Sequence, residues 1–178
     1  MSKFYTGLGD TGYTNLIKAG KIKKSSKIIE AIGNIDELNS AIGVAITNLT
    51  TDRISKTLKD IQNILFIIGA ELATPSSESA VKRKIGEHDV KALEEHIEEL
   101  GSAVSIDRFV LPGGSIGASC LHLARSICRR AERSVIALGN IEEHRHMISY
   151  MNRLSSYLFV AALYVNKLEG VDESSPTY

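Results

Sequence analysis

Arg125-Ser-Ile-Cys-Arg129-Arg130-Ala-Glu132-Arg133 lies inside a run whose apolar residues Leu121, Ala124, Cys128, Ala131 and Val135 recur at steps of three and four. That spacing is one face of an α-helix, and residues at i, i+4 and i+7 share a face. Arg125, Arg129 and Glu132 therefore project together from one rod, beside a packing seam. A row of guanidinium groups is suited to polyphosphate. As an ordinary surface feature, the same row would pair with Glu132, Glu142 and Glu143.

The helical period extends in both directions. Upstream, Ile28, Ile32, Ile35, Leu38, Ile42, Ala45 and Leu49 form one stripe, and Ile54, Leu58, Ile61, Leu65, Ile68 and Leu72 form a second that begins at Thr51-Asp52. Residues 74–86 read as a polar loop. A shorter helix over 87–100 turns Val90, Leu93, Ile97 and Leu100 inward and stops at Gly101. Leu111-Pro112-Gly113-Gly114-Ser115 is a turn with a helix cap, followed by a helix over about 116–138 closed by Gly139-Asn140. A last helix covers about 142–168, closed by Gly170, with Tyr150, Tyr157 and Tyr164 at steps of seven as a packing seam. Residues 1–26 hold no long periodic pattern and read as an extended arm with turns or a short hairpin. The sequence thus predicts an all-α fold, a five-helix up-and-down bundle with a short extended N-terminal arm. One domain is expected, with the arm at 1–26, the bundle at 27–170 and a tail at 171–178.

The bulk properties fit a small-ligand site. Of the 178 residues, 43% are apolar, enough for a core. Twenty-one basic residues balance twenty-one acidic ones. That balance argues against nucleic acid, which calls for a basic excess, but not against a small anion held by a local cluster. Cys120 and Cys128 on one helix lie about 12 Å apart at about 1.5 Å per residue, too far for a disulfide, and read as reduced packing residues. The opening Met-Ser-Lys-Phe-Tyr lacks an apolar leader core, and no run is long enough to span a bilayer, so a soluble, cytoplasmic protein is expected.

Thr6-Gly7-Leu8-Gly9-Asp10-Thr11-Gly12-Tyr13-Thr14 is the second informative stretch. Glycine lets backbone N–H groups approach an anion, and the threonines add hydroxyls. Alone the pattern is weak: a plain turn fits it, and no Lys-Ser/Thr follows as in a P-loop. Lys18, Lys21, Lys23, Lys24 and Lys27 crowd the end of the arm, most as a solvated basic loop, with one free to reach phosphates. Asp36 sits beside the stripe residue Ile35. A carboxylate at a stripe edge calls for a cationic partner, and Arg125 is the candidate. Asn152-Arg153 reads either as a bundle hydrogen bond or as an adenine or ribose contact. His144 and His146 diverge by about 200° on a helix and do not share a metal. His122 reads as a packed or partly exposed histidine, and no protein-bound metal site is expected.

The motifs also occur in a familiar order: residues 6–14, Lys24, Glu30-Ala-Ile-Gly-Asn-Ile-Asp-Glu-Leu-Asn-Ser-Ala-Ile-Gly43, Phe109-Val-Leu-Pro-Gly-Gly114, Cys128-Arg-Arg-Ala-Glu-Arg133 and Met151-Asn-Arg-Leu-Ser-Ser-Tyr-Leu-Phe159. Over essentially its full length the chain resembles the PduO-type ATP:cob(I)alamin (corrinoid) adenosyltransferases. The resemblance implies a homotrimer with ATP at the subunit interface. Thr6, Gly7, Leu8 and Gly9 would wrap the triphosphate, with Thr14 and Asn15 following and Lys24 neutralising charge. Arg129, Arg130, Ala131, Glu132 and Arg133 would form the facing wall, and Asn152 would touch the nucleotide. Arg125 would pair with Asp36 and shape the corrin side, and Phe109 would press on the lower corrin face. Arg125, Arg129, Asp36 and Phe109 make up the implied catalytic group.

The implied reaction moves the 5′-deoxyadenosyl group of ATP to the cobalt of cob(I)alamin and releases triphosphate, with Mg²⁺ carried by ATP rather than by protein ligands. A cobalamin reductase and an adenosylcobalamin-dependent enzyme are the partners this chemistry implies. Two departures stand out: Ser25-Ser26 where the family often has an acidic pair, and Asn34 where Thr is more usual. Two other readings compete. A nucleotide hydrolase or kinase lacks a Walker lysine here, and a non-catalytic cobalamin carrier leaves the arm and Lys24 unexplained.

Overall fold

The computed structural model describes residues 4–16, 20–74 and 83–177; Lys18 and residues 75–82 of the expected 74–86 loop lie outside the described residues. The arm is a hairpin. Strand β1 (Tyr13–Leu16) pairs antiparallel with β2 (Gly20–Lys23), in a register that sets Tyr13 against Lys23. Five helices follow: α1 (Lys27–Thr47), α2 (Asp52–Leu72), α3 (Glu87–Gly101), α4 (Ile116–Ile136) and α5 (Arg145–Leu168).

Each stripe read from the sequence is buried, including Ile35, Leu38 and Ile42 on α1, Leu58, Leu65 and Ile68 on α2, and Leu121, Ala124 and Cys128 on α4. α5 contributes Met151, Leu154, Tyr157 and Leu158, and all of these join one core. Truncating a side chain such as Leu154 to alanine would cost about 3 kcal/mol in a core of this kind. The tyrosine seam holds, with Tyr150 and Tyr157 buried and Tyr164 packed against the core. Burial pushes the Tyr157 hydroxyl up to about 12.

The helices alternate in direction. Lys27 Nζ reaches the carbonyl of Ala137 at one end of the α1–α4 pair. At the other end, a Cβ on Gly117 would meet the Asn48 carbonyl at 2.8 Å, so only glycine lets α4 approach there. α1 and α4 are therefore antiparallel. Cys128 Sγ to the Met151 carbonyl (3.3 Å) and Ser115 N–H to Asn166 Oδ1 (2.9 Å) make α4 and α5 antiparallel as well. Gln62 donates to the Asn39 carbonyl between α1 and α2. Arg153 of α5 bonds Glu94 of α3 at 2.7 Å, and Arg53 of α2 pairs with Glu99 of α3.

Two helix ends differ from the sequence reading. α4 stops at Ile136 and α5 starts at Arg145, because Gly139 (φ 80°) and Asn140 (φ 49°) reverse the chain and residues 141–144 form a turn closed by His144 N–H to the Asn140 carbonyl. Both cysteines are free thiols; Cys128 is buried and Cys120 partly so. Among the described residues no helix is long and apolar enough to cross a membrane.

Candidate functional site

The loop before β1 is built by its own hydrogen bonds. Asp10 N–H reaches the Gly7 carbonyl and Gly12 N–H the Gly9 carbonyl, with Gly7 (φ 71°) and Gly12 (φ 80°) in the left-handed region. Lys24 N–H donates to the Gly12 carbonyl at 2.9 Å, which folds the exit of the hairpin back onto the loop. The Lys24 ammonium then lies over Gly9: a Cβ there would be 2.9 Å from Nζ. Thr6, Leu8, Gly9, Thr14, Asn15 and Lys24, all expected from the sequence, line one cavity of about 500 Å³. Tyr13 and Lys21 complete its lining, with the Lys21 ammonium 4.8 Å from the centre of the Tyr13 ring. Gly7 sits in the turn that shapes this wall. Hydroxyls, an amide and two ammonium groups make the cavity suited to an anion carrying several oxygens.

The arginine-bearing rod divides its residues among different tasks. Arg129 and Arg133 are exposed and form no ion pair among the described residues. Arg130 is committed to α1, pairing with Glu37 and donating from Nε to Asn34 Oδ1 at 3.3 Å. The less usual Asn34 therefore has a partner. Glu132 accepts from Asn152 Nδ2 (3.3 Å), and Asn152 Oδ1 accepts from Arg153 (2.8 Å). This chain of bonds sets the Asn152 amide at the α4–α5 surface.

Ala131 has no exposed surface in the protomer and lies in the core between the arginines of α4. Asp36 and Arg125 do not pair within the chain. The antiparallel packing sets α1 residues 34–37 level with Arg130, and Arg125 stands more than one turn further down α4. Its guanidinium stacks over Phe159 of α5, with Cζ 5.3 Å from the ring centre, while Asp36 is exposed.

Arg125 belongs instead to a second cavity, of about 560 Å³, lined by the loop 106–110 with Phe109, by Pro112, by His122 and Arg125 of α4, and by Phe159 of α5. Phe109 is 80% exposed, an aromatic ring held at a cavity mouth that no described residue covers. The loop is anchored at both ends. Asn166, fully buried, accepts from Ser115 N–H and donates to the Gly113 carbonyl at 3.2 Å. Gly114, at φ 104°, passes so close to that amide that any Cβ would collide with it. The Pro-Gly-Gly-Ser motif thus acts as a latch on α5. On the other side, Leu111 N–H donates to the Ser174 carbonyl (2.8 Å), and Arg108 reaches the Glu173 carbonyl.

His122 and Phe159 were not assigned to the site from sequence. Phe159 closes the 151–159 motif, and His122 stands three residues before Arg125, so both carried a positional signal. Their apolar surroundings in the sequence read as packing. Among the described residues no three His, Cys, Asp or Glu side chains gather to hold a metal ion.

A hairpin cavity suited to an anion and a separate aromatic cavity on a five-helix bundle are the two candidate sites of the chain. The sequence profile of the cobalamin adenosyltransferases matches residues 4–165, and the chain belongs to that family. It is 42% identical over 177 residues to the corrinoid adenosyltransferase of Bacillus subtilis, covering 96% of this chain and 90% of that one. It is 37% identical over 168 residues to the corrinoid adenosyltransferase of Citrobacter freundii, covering 91% and 94%. A variant PduO-type ATP:corrinoid adenosyltransferase from Lactobacillus reuteri, solved in complex with cobalamin and ATP, superposes with a TM-score of 0.90 at 36% identity over 99% of this chain and all of that one.

Proposed function

We infer that the protein transfers the 5′-deoxyadenosyl group of ATP to the Co(I) centre of a reduced corrinoid, with the triphosphate held by the arm and the corrin in the cavity under Phe109. The observation that carries this reading is the arm cavity, where Lys24 is laid over Gly9 among threonine hydroxyls.

Cobalt(I) is itself a strong nucleophile, so the protein supplies no base. Its lone pair forms the Co–C5′ bond as the C5′–O bond breaks, and the electron pair leaves on the triphosphate. The task of the side chains is to hold C5′ in line and to stabilise the charge gathering on the leaving group. Lys24, Lys21 and the unpaired Arg129 and Arg133 suit that role, and Mg²⁺ travels on the triphosphate. Removing one such positioned cation typically costs about 10²–10³ in turnover.

Phe109, at the mouth of the corrin cavity, takes the place of the lower cobalt ligand. Loss of an axial donor makes Co(II) easier to reduce. In this reading the exposed arginines of α4 face the arm of a neighbouring protomer in a homotrimer, and the pairing of Asp36 with Arg125 is made between protomers. The exposed Ile116 and Leu123 on α4 support a covered face on that helix. The whole chain acts as one adenosyltransferase domain in the cytoplasm, supplied by a cobalamin reductase and serving an adenosylcobalamin-dependent enzyme.

The test is incubation with ATP, Mg²⁺ and chemically reduced cobalamin. Loss of the Co(I) absorption, a light-sensitive Co–C product and stoichiometric triphosphate are expected. Orthophosphate without a Co–C product, or cobalamin binding without turnover, would overturn the assignment.

A further inference from the structure

We propose that His122 is a corrinoid-binding residue whose imidazole hydrogen-bonds a peripheral carboxamide of the corrin ring. The inference rests on the corrinoid reading of the Phe109 cavity and adds to it a contact that recognises the rim of the macrocycle.

The argument begins with a count of partners. Five polar residues are buried in the described structure: Asn39, Asp89, His122, Ser155 and Asn166. Three of the others satisfy their side chains and Asn39 does so in part, its Oδ1 being without a partner, so that His122 alone of the five makes no side-chain hydrogen bond among the described residues. Asn39 donates to the Gln62 carbonyl, Asp89 accepts from Gly86 N–H and pairs with Arg83, Ser155 donates to the Asn152 carbonyl, and Asn166 holds the Gly113–Ser115 latch. His122 is 3% exposed, and neither Nδ1 nor Nε2 has a hydrogen-bond partner. A buried polar group without a partner is costly, and it is retained where something other than the fold uses it.

Its position says what that use is. The ring lies 6.0 Å from Phe159, next to Arg125, on the wall of the cavity that Phe109 overhangs. The rest of that wall is Ile106, Val110, Pro112 and the two phenyl rings, apart from the charged residues Asp107, Arg108 and Arg125. A corrin offers the matching chemistry, a flat apolar macrocycle edged with primary amides. An anionic group would be taken by Arg108 or Arg125. Burial, reinforced by Arg125, holds the imidazole below its ordinary protonation range, so it stays neutral with one N–H donor and one acceptor nitrogen. A primary amide likewise offers one of each.

The test uses the full-length protein with His122→Phe, which keeps the ring and removes both nitrogens, and His122→Asn, which restores an amide donor and acceptor. The readouts are Tm without ligand, cob(II)alamin affinity from its absorption change, and ATP affinity. The expected result for His122→Phe is an unchanged or raised Tm, cobalamin binding weakened roughly tenfold, and ATP affinity unchanged; His122→Asn should recover part of the loss. Unaltered cobalamin affinity in a stably folded His122→Phe protein overturns the proposal, and so does a fall in Tm with both ligands weakened together, which would mark a packing or water-bound histidine. Wild-type protein that binds no cobalamin would remove the corrinoid reading itself, and the His122 contact with it. Wild-type turnover with indifferent variants would remove only the contact.

Discussion

The Arg125 guanidinium is stacked over the Phe159 ring, 5.3 Å from its centre, so its charge is directed toward α5 and the aromatic cavity rather than toward Asp36 of its own chain. A planar, delocalised cation suits that position better than a point charge. Arg125→Lys is expected to leave ATP affinity intact and weaken cobalamin binding roughly fivefold. Parallel titrations with the two ligands check this; equal loss of both would place Arg125 elsewhere in the reaction.

Gly9 gives the Lys24 ammonium its resting place. Alanine there would push Nζ aside from 2.9 Å, and a flexible side chain yields easily, so the fold should tolerate Gly9→Ala with Tm changed by no more than about 2 °C. The lysine, however, would no longer lie over the loop. The KM for ATP should rise several-fold while cobalamin affinity stays constant. An unchanged KM would mean that Lys24 and the loop do not share a ligand.

Phe109 is exposed, so Phe109→Ala should cost little stability. Its effect should depend on how cobalt is supplied. Turnover should fall steeply when Co(II) must be reduced on the enzyme, and much less when Co(I) is generated chemically beforehand. Equal losses under both conditions would contradict a role in displacing the lower ligand.

Asn166 ties α5 to the turn that starts α4. Asn166→Ala leaves the Ser115 N–H and the Gly113 carbonyl without partners in a part-buried site, a loss of about 2 kcal/mol. Urea unfolding should show that decrease. Cobalamin affinity should fall too, because the latch carries the Phe109 loop. Stability lost without any change in cobalamin binding would separate the latch from the site.

His122 gives a pH dependence of defined sign. Its pKa lies below the ordinary 6.5, through burial first and Arg125 second, with Glu173 acting weakly the other way. As pH falls through 6.5 the unfolded chain binds a proton that the folded chain still refuses. The folded state is therefore destabilised, until the folded imidazole protonates in turn. The Tm of the wild type should drop below that of His122→Phe progressively from pH 7 to 5. Parallel curves would show that His122 is not held neutral.

The helices were legible in the sequence because burial has a period. Stripes such as Ile35, Leu38 and Ile42 can face only a core, and the structure buries each of them. The turns of the arm were legible from glycine at 7 and 12, which both adopt a left-handed backbone, whereas the glycines alone left a plain turn open and the lining of the arm cavity was indicated only by the resemblance of the ordered motifs. How Asp36 and Arg125 could meet was not legible, since helical spacing gives the direction of a side chain but neither the level at which two helices meet nor the protomer that supplies the partner. Arg130 stands at that level instead. His122 was equally opaque: sequence shows a histidine on a packed helix, and only three-dimensional partner-counting shows that its nitrogens are left unsatisfied.

The carbonyls of Glu173 and Ser174 reach Arg108 and Leu111 on either side of Phe109. The last stretch of chain is thereby a splint for the aromatic gate. A purification tag fused behind it would hang beside the Phe109 loop. Affinities measured on tagged protein should be compared with those of cleaved protein before either substrate is assigned a binding constant.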